Sequence, residues 1–245
     1  MAKSTINVSI VANTKGFQGE IKKADAVAGG FFAGIGAKAG MMAVDLGKKA
    51  LKAVVDFAGD SIRAFPELEQ ASGATEAVFG KSADKIDKWA KSAARAIGLS
   101  ESQAKQSANQ IGSFLQNFGF AVDEAGDKAM ELTSLGADLA AMYGGTVPEA
   151  VGALSAALRG EFNPIERYGV SLRVATIEAH ALEMGLAKTK GEIDQNAKMI
   201  ATLDLLTQQT SKAQGQFARE VNTVAGKEAV FNAQLENSKA LLGES

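Results

Sequence analysis

The sequence predicts an all-α protein, a multi-helix bundle of short antiparallel helices with one N-terminal β-strand and a glycine/alanine-rich helical arm. Proline, which disrupts a helix interior, is scarce, with only 3 among the 245 residues. Apolar residues recur with a period near 3.6 over most of the chain, and the breaks between these runs are short and contain Gly, Ser or Pro. Because only 6% of the residues are aromatic, we expect a core of small side chains that each bury little apolar area.

The N-terminal strand is predicted at Thr5–Val11, where Ile6, Val8 and Ile10 alternate with polar residues. A glycine-rich apolar stretch follows at Ala24–Ala58. We therefore divide the chain into residues 1–60, the strand plus the arm; residues 61–220, the helical bundle; and residues 221–245, a C-terminal amphipathic helix that could begin a stalk. We also expect the arm to pack poorly, because each glycine inside a helix costs about 1 kcal/mol relative to alanine.

Helix boundaries are predicted from three kinds of residue. Three prolines stand where helices should begin, because a missing N–H costs nothing in a first turn: Pro66, Pro148 and Pro164. Three capping boxes should start helices: Ser100 with Gln103, Thr146 with Glu149, and Thr189 with Glu192. Four glycines should end helices: Gly98, Gly119, Gly160 and Gly169.

Each predicted helix has one apolar stripe, which we expect to face a shared core. The stripes are Ile86, Trp89, Ala90, Ala93 and Ile97; Ala104, Ala108, Ile111, Phe114, Leu115 and Phe118; Ala125, Ala129, Leu132, Leu135, Leu139 and Met142; Val151, Leu154 and Leu158; Ile193, Ala197, Ile200 and Leu203; and Val224, Phe231, Leu235 and Leu242.

Charge and composition argue against several classes of function. The formal net charge is -2 and the basic residues are scattered, so we expect no nucleic-acid partner. Cysteine is absent, which excludes disulfides and thiolate metal sites. The uncharged run Ala26–Ala37 is far shorter than the ~20 residues of a membrane helix, so we expect no membrane span in this chain.

The sequence contains no recognisable catalytic set, and we predict no catalytic, cofactor-binding or metal-ligating residues. His180 is the only histidine, and we expect it to be a surface or half-buried helix residue. The segment Thr75–Ser82 ends like a phosphate-binding loop, but Thr75 replaces the first glycine and no strand precedes it. We interpret it as a helix that stops at Gly80 and restarts with Ser82 as its cap. The chain is therefore predicted not to be an enzyme.

Four segments resemble the head region of phage tail tape measure proteins. In Val151–Arg173 a helix ends in Leu-Arg-Gly and leads through an acidic turn to a proline and then a Gly-Val step. The runs Leu135–Ala140 and Thr202–Ala218, and the strand followed by Thr14–Phe17, are also similar to that family. The acidic turn is the segment Leu158–Val170. We expect Gly160 and Gly169 to end helices there and Asn163 to cap the short helix between them. The apolar residues of the turn should fold back onto the bundle: Phe162, Ile165, Tyr168 and Val170.

The resemblance implies a structural protein of tape-measure type that acts in viral tail assembly and tail-length determination. It implies a phage or prophage origin, a place in the virion tail after assembly in the host cytoplasm, self-association, and contacts with the tail tube protein and with tail assembly chaperones. Members of the family are usually longer, so we expect this chain to be either an N-terminal fragment or a truncated prophage product.

An alternative function is a soluble helical protein–protein interaction module, such as an effector or adaptor that binds through its helix faces. A second alternative, confined to the turn, is a binding or catalytic cluster formed by Arg159, Glu161, Glu166 and Arg167.

Overall fold

A computed structural model describes the chain from Leu46 to Gly243, with side chains described at residue 60 and from residue 63 onward. The predicted strand at Thr5–Val11 and most of the Ala24–Ala58 arm lie outside the described residues. The chain divides into two compact units, Met1–Val54 and Val55–Ser245. The second unit contains every side chain discussed below.

The described part is mostly helical and contains no strand, so the all-α prediction is confirmed for these residues. The α-helices are α1 Leu46–Phe79, α2 Ala83–Ile97, α3 Glu101–Asn117, α4 Val122–Tyr143, α5 Val147–Leu158, α6 Asn163–Glu166, α7 Val174–Glu183, α8 Gln195–Gln209, α9 Gln216–Glu220 and α10 Val224–Gly243. Short 3-10 helices lie at Gly80–Ser82 and Lys190–Glu192.

Neighbours in sequence are mostly neighbours in space. Helices α2, α3, α4 and α5 pack consecutively, α7 packs against α8, and α8 packs against α5. Helix α9 lies on α4, and α10 lies on α2 and α3. One core runs through these helices, and much of it is alanine and leucine. The small side chains let the helix axes approach closely, so the core is built from many small contacts.

Two of the predicted capping boxes form. The hydroxyl of Ser100 accepts the Gln103 N–H and the Gln103 side chain accepts the Ser100 N–H. Thr146 and Glu149 make the same pair of bonds at the start of α5. The box at Thr189 is wrong, because the Glu192 carboxylate accepts the N–H of Lys188 instead. Helix α8 begins later, where the Asp194 carboxylate accepts the Ala197 N–H.

The prediction that Pro66 starts a helix is also wrong. Pro66 lies inside α1, which runs for 34 residues without a break. A proline removes one backbone hydrogen bond and crowds the carbonyl four residues earlier. Pro66 is exposed, so water can bond to the carbonyl that has lost its partner, and the helix continues.

Most of the predicted stripes face the core, with two errors. Met142 is exposed at the end of α4. In α10 the buried residues are Gly226, Ala233 and Ala240, whereas the predicted buried stripe begins at Val224, which is 74% exposed. Helix α10 packs against the core through Ala229 and Val230, and Gly226 lies against the turn before the helix, where a Cβ would be 2.4 Å from the backbone oxygen of Glu220. Phe231 and Leu235, on the opposite side of the helix, stay partly exposed.

Candidate functional site

An apolar groove with a volume of about 480 Å³ opens between four parts of the bundle. Its aromatic lining comes from the last turns of α3, where the rings of Phe114 and Phe118 lie 4.9 Å apart, and from Phe162 in the turn after α5. The opposite side is formed by α7 and α8, with Ile177 and Met199. Its size and apolar lining are typical of sites that accept a ligand or the side chains of a partner.

The charged residues that line the groove are both cations. Arg159 stands at the end of α5 and Lys198 in the first half of α8. Each has a carboxylate neighbour that does not line the groove: Arg159 Nε lies 3.4 Å from Glu161 Oε1, and Lys198 Nζ lies 3.2 Å from Glu178 Oε1. Such partly exposed pairs contribute little stability, so both cations can also bind an acidic group placed over the groove.

One edge of the groove is the turn at Leu158–Val170. Gly160 and Gly169 have φ of 89° and 73°, so both helix stops are confirmed. The apolar residues do fold back: Ile165, Tyr168 and Val170 are buried and Phe162 is partly buried. Asn163 was predicted to cap α6, but this is wrong, because Asn163 is the first residue of that helix and Phe162 occupies the cap position without a side-chain bond.

The four charged residues of this turn do not form one cluster. Arg159 pairs with Glu161, whereas Arg167 lies over the Tyr168 ring, 5.1 Å from its centroid. Arg167 also lowers the pKa of Glu149 at the start of α5, although the main cause of that lowering is the hydrogen bond from the Thr146 backbone. The contacts of Arg159 and Arg167 therefore lie at two separate ends of the turn.

Replacing Gly169 with valine should destabilise the protein, because a β-branched residue at a positive φ costs about 1 to 3 kcal/mol. A Cβ at this position would also lie 2.8 Å from the Tyr143 hydroxyl. Gly160→Val is the matched variant, since no atom lies within 4 Å of its Cβ position, and it should show the backbone cost alone. Urea denaturation measures the unfolding midpoint of both variants. An unchanged unfolding midpoint for both variants would show that the turn tolerates side chains at these positions.

His180 is a half-buried helix residue, as expected, and it joins α7 to α8. Its Nε2 lies 2.5 Å from Asp204 Oδ2 on α8, and its Nδ1 lies 3.4 Å from Glu183 Oε2. The hydrogen bond to Asp204 is the main cause that raises the pKa of His180. Through its contact with Asp204 the imidazole ties α7 to α8.

The stability that His180 contributes should depend on pH. A raised pKa means that the folded state holds the proton more tightly, so this contribution is complete below the unfolded value of about 6.5 and is lost as the pH rises through the raised folded value. The difference in unfolding free energy between wild type and His180→Gln should therefore be larger at about pH 6 than at about pH 9. Because His180 is the only histidine, its imidazole signals in NMR report the pKa directly. If wild type and His180→Gln differ by the same unfolding free energy at both pH values, the protonation of His180 does not contribute to stability.

The segment that resembles a phosphate-binding loop is helix and turn. Thr75 is fully buried inside α1, with its hydroxyl 3.0 Å from Asn109 Oδ1 of α3. The helix stops at Phe79 and Gly80 takes a φ of 51°, as predicted. Ser82 does occupy the cap position of α2, but its hydroxyl bonds to Asp123 instead of capping the helix. A phosphate would find no row of free backbone amides here.

The groove itself was not predicted. Phe114 and Phe118 were assigned to the core from their helical spacing, and they do pack against it, yet each keeps part of its ring accessible. Helical spacing shows which face of α3 is apolar, but the end of that face is covered only if a neighbouring helix reaches it. The position of α7 and α8 depends on contacts distant in sequence.

Three of the four segments that carry the family resemblance meet in space, and the fourth, at Thr14–Phe17, lies outside the described residues. Gly136 of the first run lies against Val151 of the second. Asp138 accepts hydrogen bonds from the backbone N–H groups of Gly215 and Phe217, at 2.8 and 3.0 Å, which joins the first run to the third. The Gln209 side chain bonds to both the N–H and the carbonyl of Ser171, which joins the third run to the second.

Comparisons with known proteins found no relationship. No protein-family model matches the chain, and neither the curated proteins nor the solved structures gave a match. From Leu46 to Gly243, no helix is long and apolar enough to cross a membrane. Within the same described residues, no group of three or more His, Asp or Glu side chains is placed to hold a metal ion.

Proposed function

We propose that this chain is a structural protein of tape-measure type that acts in phage tail assembly and tail-length determination. The observation that carries the proposal is the mutual contact of the three resembling runs. Segments that are far apart in sequence are held together by one close helix crossing and by two sets of side-chain bonds to backbone groups.

The character of these contacts favours a structural role. Asp138 and Gln209 use their polar atoms to hold backbone groups of another segment, so they are not available for a substrate. The turn at Leu158–Val170 places its apolar residues in the core. A rigid head of this kind would suit a protein that is built into a larger assembly, with the tail tube protein and tail assembly chaperones as partners.

The test is genetic. Deleting the coding region of the chain from the phage or prophage that carries it should abolish complete tails and leave heads intact, as seen by electron microscopy. In-frame insertion or removal of residues in the helical stalk of a tape measure protein should change tail length by about 1.5 Å per residue, and we expect the same for the intact gene. Normal tails in the deletion strain would refute the proposal.

The groove favours a second candidate function, a soluble helical interaction module. An apolar groove between helices is a common docking site for an amphipathic helix. The same deletion strain separates the two proposals, because an effector or adaptor would leave tail assembly intact and change another phenotype.

A further inference from the structure

We propose that the chain associates head to tail, with the outer stripe of α10 from one copy docked in the apolar groove of the next. The outer stripe consists of Val224, Glu228, Phe231 and Leu235. The inference does not rest on the tape-measure proposal, because both surfaces belong to the described part of this chain.

The outer stripe is an apolar helix face turned away from the core. Its four residues are spaced i, i+4, i+7 and i+11, which places them on one side of a helix. Gly226, Ala233 and Ala240 occupy the opposite side and are buried, and Ala229 and Val230 beside them pack against the core. Val224 is 74% exposed, and Phe231 and Leu235 are only half-buried. Helix α10 therefore has two apolar faces, and a single copy buries the one with small side chains.

The outer stripe cannot fill the groove of its own chain. Helix α10 is attached to the start of α3, where the N–H of Glu101 donates to the Asn237 side chain at 2.7 Å. The groove lies at the other end of α3, beginning at Phe114, which is about 20 Å farther along the helix at 1.5 Å per residue. Because the stripe also faces away from α3, the groove that it can enter is that of another copy.

The two surfaces match in charge as well as in polarity. Arg159 and Lys198 line the groove, and Glu228 is an exposed carboxylate within the outer stripe. Lys227 stands on the other edge of the stripe, and Glu161 and Glu178 stand just outside the groove. A docked helix can therefore place Glu228 over the cations and Lys227 near a carboxylate. This polar rim would set the orientation of an otherwise apolar contact.

A contact between two different surfaces has a definite consequence. A pair of docked copies keeps one free groove and one free outer stripe, so assembly continues as a chain unless the rotation closes a ring. Sedimentation velocity should show a weight-average mass that rises with concentration beyond that of a dimer. A monomer at all concentrations would overturn the inference, including the case in which the groove binds only a different protein.

Two exposed valines allow each surface to be blocked separately. Val224→Asp disables the stripe, and Val174→Asp disables the groove, where Val174 is 56% exposed. Each variant alone should be monomeric, with the circular dichroism spectrum and melting transition of wild type. An equimolar mixture should form a 1:1 dimer that cannot extend, because one intact stripe meets one intact groove. If the mixture stays monomeric or either variant still polymerises, the proposed pairing of surfaces is wrong.

The matched control is Leu241→Asp, which places the same charge on an exposed residue of α10 outside the outer stripe. It should leave association unchanged. Charge reversal tests the orientation: Lys198→Glu should weaken association at least tenfold, and Glu228→Lys in the same chain should restore much of it. If Glu228→Lys fails to restore the association that Lys198→Glu weakens, Glu228 does not lie over Lys198. If the chain self-associates but the deletion strain still makes normal tails, only the tape-measure proposal is refuted.

Discussion

Replacing Lys105 with methionine should lower the free energy of unfolding by about 3 kcal/mol, because removing one partner of a buried ion pair leaves the other charge without compensation. Lys105 lies on α3 with a side chain that is only 4% exposed. Its ammonium group makes three contacts of 2.9 Å, to Asp87 on α2, to Glu101 on α3 and to the Ser72 hydroxyl on α1. Three helices therefore depend on one cation.

The protonation of Lys105 supports the same expectation. Burial by itself lowers its pKa, but the hydrogen bonds to Glu101 and Asp87 and the attraction of both carboxylates outweigh burial and raise the pKa. A raised pKa means that this contribution to stability is complete below the ordinary lysine value and is lost only as the pH rises through the higher folded value. The full cost of Lys105→Met should thus appear at neutral pH. We place the cost of Lys105→Met at the lower end of the range for broken buried ion pairs, because Asp87 keeps 33% of its side chain exposed.

Lys85→Met is the matched control for the Lys105 experiment. Lys85 also pairs with an aspartate on another helix, Asp127, but both side chains are more than half exposed, so its loss should cost about 0 to 1 kcal/mol. Adding Asp87→Leu and Glu101→Leu to Lys105→Met should recover part of the loss, since an apolar replacement of the whole set leaves no unpaired charge. Urea denaturation followed by circular dichroism measures each variant. Equal costs for Lys105→Met and Lys85→Met would show that burial of the ion pair is unimportant.

Local patterns predicted most helix boundaries because their causes are local. The reciprocal bonds of Ser100 and Gln103 involve residues three apart, and the positive φ of Gly98 and Gly160 follows from the lack of a Cβ. In two of the failed cap predictions the side chain bonds to a different partner, as Ser82 does with Asp123 of another helix. Glu192 bonds to Lys188, outside the capping box in which it was placed.

Burial was predicted less well, and α10 shows why. Its large apolar residues form a regular stripe, so the sequence alone assigns that stripe to the core. The residues that α10 buries are instead Gly226, Ala233 and Ala240, and Ala229 and Val230 on the same side pack against the core. The helix therefore packs through its smaller side chains, while Phe231 and Leu235 stay partly exposed. Amphipathic spacing identifies an apolar face, but it cannot show whether the core or another surface covers that face.

The site was the least predictable feature, because it depends on how elements meet. Each lining residue has an ordinary local role: Phe114 and Phe118 belong to a helix stripe, and Arg159 ends a helix. Only the packing of α8 against α5 brings Met199 and Lys198 opposite these residues. No spacing within one segment indicates a groove that is made of four segments.

The crossing of α4 and α5 depends on the absence of a side chain at Gly136. A Cβ added there would lie 2.5 Å from Val151 Cγ2, 3.1 Å from the Val151 backbone nitrogen and 3.4 Å from its Cα. The methyl group of Val151 can rotate, but the backbone of α5 cannot move without disturbing its buried residues, among them Leu154 and Leu158. The helices can therefore accommodate a larger residue only by separating.

Gly136→Val should therefore destabilise the protein by about 3 kcal/mol, the upper end of the cost of overpacking a core. Gly152→Val is the matched control, because Gly152 lies in α5 with no atom within 4 Å of its Cβ position. It should change stability by less than about 0.5 kcal/mol, since valine and glycine differ little in helix propensity. Val151→Ala removes the methyl groups in contact, so in a double-mutant cycle it should offset part of the cost of Gly136→Val. Thermal and urea denaturation measure the four variants. If Gly136→Val and Val151→Ala are additive, or if Gly136→Val costs no more than Gly152→Val, the two helices do not meet at this glycine.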